Sequence, residues 1–173
     1  MSRRERRARR VRAPSPLPGF VIFRSDGASR KASLRSPCKA GWGAGHWAAD
    51  GSLVEVARGY LGEDVSNNVA EYEGLAAAMK RSLEVVPANS NVAFEVDSKI
   101  VAKQVQVMGP GKYACRTASL TPFFLECVRL GWALTARGIN WLVRHIYREY
   151  NQICDAQANQ AIDIGSAPWR QPN

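Results

Sequence analysis

Residues 91–105 read NVAFEVDSKIVAKQV. Val92, Phe94 and Val96 recur at period two, which predicts a half-buried strand over 91–97. A helical pattern from Ile100 to Val107 follows at once, stopped by GPG at 109–111. The junction falls on Asp97. Asp97 has two readings: a cap on the helix that follows, or part of a site at the carboxyl end of the strand, where open α/β sheets bind ligands. One carboxylate leaves both open.

The flanking pattern extends the α/β reading. GFVIFRS (19–25) is an apolar, β-branched run and a first strand. GWGAGHWAA (41–49), the hairpin signal Asp50-Gly51 and SLVEVARGY (52–60) read as two more strands of an antiparallel meander. DGASRKASLRSPCKAG is expected to be a loop between the first two strands. Val69, Tyr72, Ala76, Met79, Leu83 and Val86 then step by three and four, one face of a helix. Leu120, Phe123, Phe124, Cys127, Leu130 and Leu134 form another stripe, closed at Gly138. INWLVRHIY (139–147) is a fifth strand, and 151–163 a final helix starting at Asn151. Strands four and five follow helices, so right-handed crossovers make them parallel. The expected class is α/β: a mixed five-stranded sheet, three strands in a meander and two parallel, with helices on both faces. The expected division is an arm and Pro-rich hinge over 1–18, one domain over 19–164 and a frayed tail over 165–173.

The chain has 173 residues and a formal charge of +9. MSRRERRARRVR holds seven arginines and one glutamate, leaving seventeen basic and fourteen acidic residues, +3, on the remainder. The arm Arg3, Arg4, Arg6, Arg7, Arg9, Arg10 and Arg12 therefore reads as a nucleic-acid contact or a nuclear address. No apolar run approaches the ~20 residues of a membrane span, and no apolar segment marks a secretory leader. Cys38, Cys115, Cys127 and Cys154 lack metal-ligand spacing. An intracellular, reducing compartment is expected, nucleus or cytoplasm ahead of the mitochondrion.

Four acids stand where elements meet: Asp26, expected to end strand one, Glu71 in the first turn of the long helix, Asp97, and Asp155 in the first turn of the last helix. Each has a local explanation, as a turn residue, a capping box or a favourable helix-dipole charge. Jointly they repel unless a cation lies between them, and an all-oxygen set suits Mg²⁺ or Mn²⁺.

SDGAS, SNNVAEYEGL, VDSKIV and REYNQICDAQANQAID, in that order and on those elements, resemble type 1 ribonuclease H over residues 19–163. The lack of a large insertion between the second and third helices is similar to the short bacterial, archaeal and reverse-transcriptase-like branch. The resemblance implies a Mg²⁺-dependent endonuclease that hydrolyses the RNA strand of RNA–DNA hybrids by two-metal-ion catalysis. Asp26, Glu71, Asp97 and Asp155 would hold the two ions, with Mn²⁺ as a substitute. His145 would move protons for product release, Asn151 would lie near the attacking water, and Arg148 would contact phosphate. Gly27, Ser29, Asn67 and Asn68 match positions that read 2′-hydroxyls in the minor groove; Ser66 matches a contact to a DNA phosphate.

Two departures stand out. Lys99 replaces a common glutamine, and can contact phosphate but cannot accept a hydrogen bond. The basic stretch RKASLRSPCKA replaces a short Gly/Asn/Pro loop. Glu95, two residues before Asp97 on the same strand face, has no evident role beyond supporting the site from behind. The partners expected are a hybrid held by the site and nucleic acid held by the arm, with a monomeric protein and no membrane. The alternatives are a catalytically inactive binding module of this fold and a resolvase- or exonuclease-like nuclease; Asn67-Asn68 before Glu71 favours hybrid cleavage.

Overall fold

The computed structural model describes residues 12–106 and 115–172. The arm at Arg3–Arg10 and the GPG stop at 109–111 lie outside these residues. Three strands form a meander, β1 (Phe20–Lys31), β2 (Cys38–Trp47) and β3 (Leu53–Glu63). Helix α1 (Asn67–Val85) leads to β4 (Asn91–Val96), and α2 (Lys99–Gln106) and α3 (Thr121–Ala136) lead to β5 (Asn140–His145). A 3-10 turn (Arg148–Tyr150) opens α4 (Gln152–Ile164), and β6 (Ala167–Arg170) follows.

The sheet order is β5-β4-β1-β2-β3-β6. Strands β1, β4 and β5 are mutually parallel, while β2, β3 and β6 alternate against them. Helices cover both faces. The apolar stripes of α1 and α3 close over Phe23, Phe94 and Val143, with Tyr72, Leu75, Met79, Phe124, Leu130 and Leu134 in the same core. On the other face α4 lies against β2, and Gly43 makes that approach possible. A Cβ on Gly43 would stand 2.2 Å from the Cys154 carbonyl oxygen and 2.5 Å from Ala158 N.

Two expectations need correction. The sheet has six strands, and the sixth comes from the tail expected to fray. Its pattern is too short and polar to announce a strand, and Pro168 fits only an edge. Long-range contacts hold it. Arg58 Nε donates to the Gly165 carbonyl at 3.0 Å and Tyr60 N to Ser166 Oγ at 2.8 Å. Trp169 meets the Phe23 ring edge-on at 6.2 Å, with the Arg81 guanidinium 5.9 Å from its own ring. Strand β1 also runs well past residue 25. The pairing with β2 continues from Asp26↔Gly43 to Lys31↔Cys38, so much of the expected loop is hairpin. Antiparallel partnering carries polar residues that period-two hydrophobicity cannot flag.

Candidate active site: a carboxylate cluster at the carboxyl edge of the sheet

The parallel register of β1, β4 and β5 ends on Ser25↔Val96 and Val96↔His145. Asp26 and Asp97 are each the next residue, so the two carboxylates emerge side by side. Glu71 arrives from α1. Gly27 lets β1 touch that helix, since a Cβ there would lie 2.3 Å from Glu71 N. Carboxylate oxygens of Asp26, Glu71 and Asp97 lie within 4.8 Å of one another.

Neighbouring residues remove the local explanations for these three acids. Asp26 is inside β1, so it is not a turn residue. The cap of α1 is Ser66, whose Oγ accepts from Val69 N at 3.2 Å, and Glu71 is the fifth helical residue rather than a first-turn acid. The start of α2 is capped by Ser98 Oγ, which accepts from Val101 N at 3.3 Å, not by Asp97.

Electrostatics mark the cluster as incomplete. Asp26 is 2% exposed and Glu71 6%. Burial, then the charges of Glu71 and Asp97, push the Asp26 carboxyl up to about 9. Burial, then Asp97, pushes Glu71 up to about 8, against bonds from Gly27 and the Asn67 side chain. Asp26 Oδ2 and Glu71 Oε2 are buried without a hydrogen-bond partner. Buried acceptors left this way cost about 1–3 kcal/mol each, more when charged. A hard divalent cation satisfies such oxygens and offsets their repulsion. The residues present therefore fit the ion that the carboxylate pattern implies.

The fourth acid stands apart. Asp155 is in the first turn of α4, as expected, but it is not among the three mutually close carboxylates. Its Oδ1 accepts from Arg148 Nη2 at 2.6 Å. The hydrogen bond and charge of Asp155, and to a lesser degree the charges of Asp26 and Asp97, hold the Arg148 guanidinium more firmly charged.

Asn151 occupies the cap position of α4 but makes no capping bond. Its Nδ2 instead donates to the Ser25 carbonyl at 2.8 Å, pinning the start of α4 beside Asp26, and its Oδ1 is buried and unpartnered. His145 ends β5, with its ring edge-on to Tyr147 at 5.4 Å. Burial, then Lys99, lowers its pKa, while Asp97 opposes that shift.

The remaining expected contacts surround the cluster. Asn67, Asn68 and Ser66 are exposed at the start of α1, and Lys99 is exposed at the start of α2. Ser29 is less free than expected, because its Oγ bonds the Val65 carbonyl at 2.9 Å and Cys38 Sγ at 2.9 Å. Glu95 gains partners that no sequence signal indicated: it is 1% exposed and lies between Arg24 and Arg144.

No family model matches the chain. The chain is 29% identical over 146 residues to the bifunctional protein Rv2228c of Mycobacterium tuberculosis, a match covering 84% of the chain and 36% of the relative. The chain thus spans about a third of the length of the curated relatives it matches. Among solved structures, the N-terminal RNase H domain of Rv2228c superposes at TM-score 0.67 with 28% identity, covering 84% of this chain and 95% of that one. RNase H1 from the halophilic archaeon Halobacterium salinarum gives 0.64 with 29% identity, covering 84% and 98%. LC11-RNase H1 in complex with an RNA/DNA hybrid gives 0.68 with 27% identity, covering 83% and 96%.

Proposed function

We propose that this chain, whose fold is type 1 ribonuclease H-like, is an endonuclease that hydrolyses the RNA strand of RNA–DNA hybrids with divalent cations. The observation that carries the reading is the trio Asp26, Glu71 and Asp97, with two orphaned buried oxygens, at the carboxyl edge of this sheet. These residues, with Asp155 swinging in from α4, would hold two Mg²⁺ or Mn²⁺ ions. Bound there, the cations supply Lewis-acid activation of water and charge stabilisation at the leaving oxygen.

The chain's own residues do the rest. Asn151, tied to Ser25, fixes the start of α4, and its free Oδ1 can orient a water. Arg148 contacts the phosphate once Asp155 releases it. His145, whose pKa is lowered by burial and by Lys99, accepts a proton during product release. Gly27, Ser29, Asn67 and Asn68 face the minor groove and distinguish 2′-hydroxyls. Ser66 and Lys99 contact phosphates, and the arginine arm adds sequence-independent grip. Lys99 and the altered segment 30–40 would tune this contact set. The protein would act as a monomer in a reducing compartment, in line with free Cys38, Cys115, Cys127 and Cys154. Among the described residues no helix is long and apolar enough to cross a membrane.

The test is a gel assay of hybrid, double-stranded RNA and double-stranded DNA in Mg²⁺, with Asp97→Asn alongside. Cleavage confined to the RNA of the hybrid and lost in Asp97→Asn is expected. Cutting of plain DNA duplex would favour a resolvase-like enzyme. Binding without any cleavage would favour an inactive module.

A further inference from the structure

Glu95 lies outside the carboxylate cluster and is 1% exposed. The register sets Arg24, Glu95 and Arg144 in one row across β1, β4 and β5. Arg24 Nε donates to Glu95 Oε2 at 2.6 Å. Arg144 Nε donates to Oε1 at 2.9 Å, with Nη2 on the same oxygen, and Arg144 Nη1 donates to the Ser15 carbonyl at 2.8 Å. Stability alone does not call for such a row. A buried ion pair is often no more stable than well-packed apolar residues of similar volume, because desolvation offsets the attraction. Arg144 by itself would neutralise Glu95, so the presence of Arg24 needs another reason.

Arg24 has a further partner just before α4. Its Nη1 donates to the Tyr150 carbonyl at 3.1 Å, and its guanidinium lies 4.8 Å from the Trp47 ring. Tyr150 closes the 3-10 turn, and Asn151 follows it. Asn151 Nδ2 donates to the Ser25 carbonyl at 2.8 Å. Two successive residues of β1, Arg24 and Ser25, therefore hold Tyr150 and Asn151, and the next residue of β1 is Asp26. One bond would leave the turn free to pivot; two fix its orientation. Packing alone leaves slack there, since a cavity of about 210 Å³ lined by Arg24, Trp47, Tyr150 and Ile153 adjoins the turn. Arg148 belongs to that turn and Asp155 to the first turn of α4, so the place of the Arg148–Asp155 pair depends on how the turn is held.

We propose that Glu95 is a positioning residue: it fixes the Arg24 guanidinium, which holds the Tyr150 carbonyl and so sets where α4 carries Asp155 relative to Asp26 and Asp97. This rests on the proposed hybrid-cleaving function for its effect on turnover. An arginine suits the task, because its rigid planar fork bonds a carboxylate and a carbonyl at fixed angles, which the single ammonium of lysine does not. The Glu95–Arg24–Tyr150 strut thus links the strand that leads to Asp97, the strand that carries Asp26 and the helix of Asp155. The polar residues proposed to meet the hybrid at the start of α1 lie outside this strut, so it acts on turnover and leaves binding to them.

The experiment uses the full chain with Arg24→Met, in which Arg144 still pairs with Glu95. Amide exchange is read at Asp155, whose N–H donates to the Asn151 carbonyl at 3.0 Å. It should quicken about tenfold, as expected for the loss of one hydrogen bond. Val128→Ala, a core truncation on α3 far from the row in the sequence, is the control for lowered stability and should leave exchange at Asp155 and kcat at their wild-type values. In Arg24→Met kcat on the hybrid should fall about 10–100-fold, the range for groups that support metal ligands, with KM little changed. Glu95→Gln should move both readings the same way, because a neutral amide offers one acceptor oxygen to two arginines. If Arg24→Met folds poorly, Arg24→Lys replaces it: the charge beside Glu95 stays, the fork is lost, and both readings should again move. Unchanged exchange at Asp155, or a rise as large in Val128→Ala, overturns the strut whatever the protein cleaves. Faster exchange with wild-type kcat overturns the positioning role, and wild-type readings in Glu95→Gln overturn the part given to Glu95. A wild-type protein that fails to cut the hybrid overturns the function reading instead, while the exchange result still decides the strut.

Discussion

Arg148 Nη2 lies 2.6 Å from Asp155 Oδ1, and the carboxylate it holds is the one missing from the Asp26–Glu71–Asp97 cluster. An arginine thus pairs with the acid that the proposed metal site would recruit. The side chains are 72% and 32% exposed, so the pair contributes about 0–1 kcal/mol.

Removing Arg148 should release Asp155 toward the cluster. Arg148→Ala is expected to raise Mn²⁺ affinity of the substrate-free protein by up to about fivefold, the equivalent of 1 kcal/mol, while weakening hybrid binding. Calorimetric titration of metal reads the first effect and KM the second. Unchanged metal affinity would show that the ion pair does not restrain Asp155.

The metal-free protein should lose stability as pH rises. Folded Asp26 and Glu71 hold protons up to about 9 and about 8, whereas unfolded carboxyls release theirs near 4. The folded state binds more protons throughout that window, so its stability falls with pH until both groups have ionised. Melting temperature in chelator should decline from pH 5 to 9 and recover with Mg²⁺. Asp97→Asn should flatten the decline, because one repelling charge is gone. A melting temperature that climbs over this range in chelator would contradict the assignment.

Gly43→Ala forces a methyl against the Cys154 carbonyl at 2.2 Å. Helix α4 must move, and Asp155 and Asn151 with it. A loss of about 1–3 kcal/mol is expected, read as a lower denaturant midpoint, with kcat falling more than KM rises. A wild-type midpoint would mean that β2 and α4 have slack the geometry denies.

The proposed substrate choice assigns the reading of 2′-hydroxyls to Gly27, Ser29, Asn67 and Asn68. A hybrid carrying 2′-deoxy sugars beside the scissile phosphate should resist cutting, because groups arranged for the hydroxyls are left unpaired. Asn68→Ala should narrow the difference between substituted and normal hybrid. Equal cutting of both by wild type would remove the minor-groove assignment.

The sequence by itself determined the alternation of Val92, Phe94 and Val96, the helical stripe from Val69 to Val86, and the order of strands and helices. These are local periodicities, written within windows of ten to twenty residues, and they place Asp26 and Asp97 at the carboxyl ends of two strands; that those strands are parallel neighbours came from the sheet. Only the tertiary structure decided whether those acids act as caps. Ser66 and Ser98 take the caps, and the packing of Gly27 against α1 brings Glu71 to the same point. It also set Glu95 between arginines 71 residues before it and 49 after it, joined Ser15 to Arg144, drew Asp155 to Arg148, and recruited Trp169 and its neighbours as a sixth strand. Each of these contacts depends on which strand lies beside which. Period and propensity carry no record of a partner that far along the chain, so the elements were legible locally and their long-range polar pairings were not.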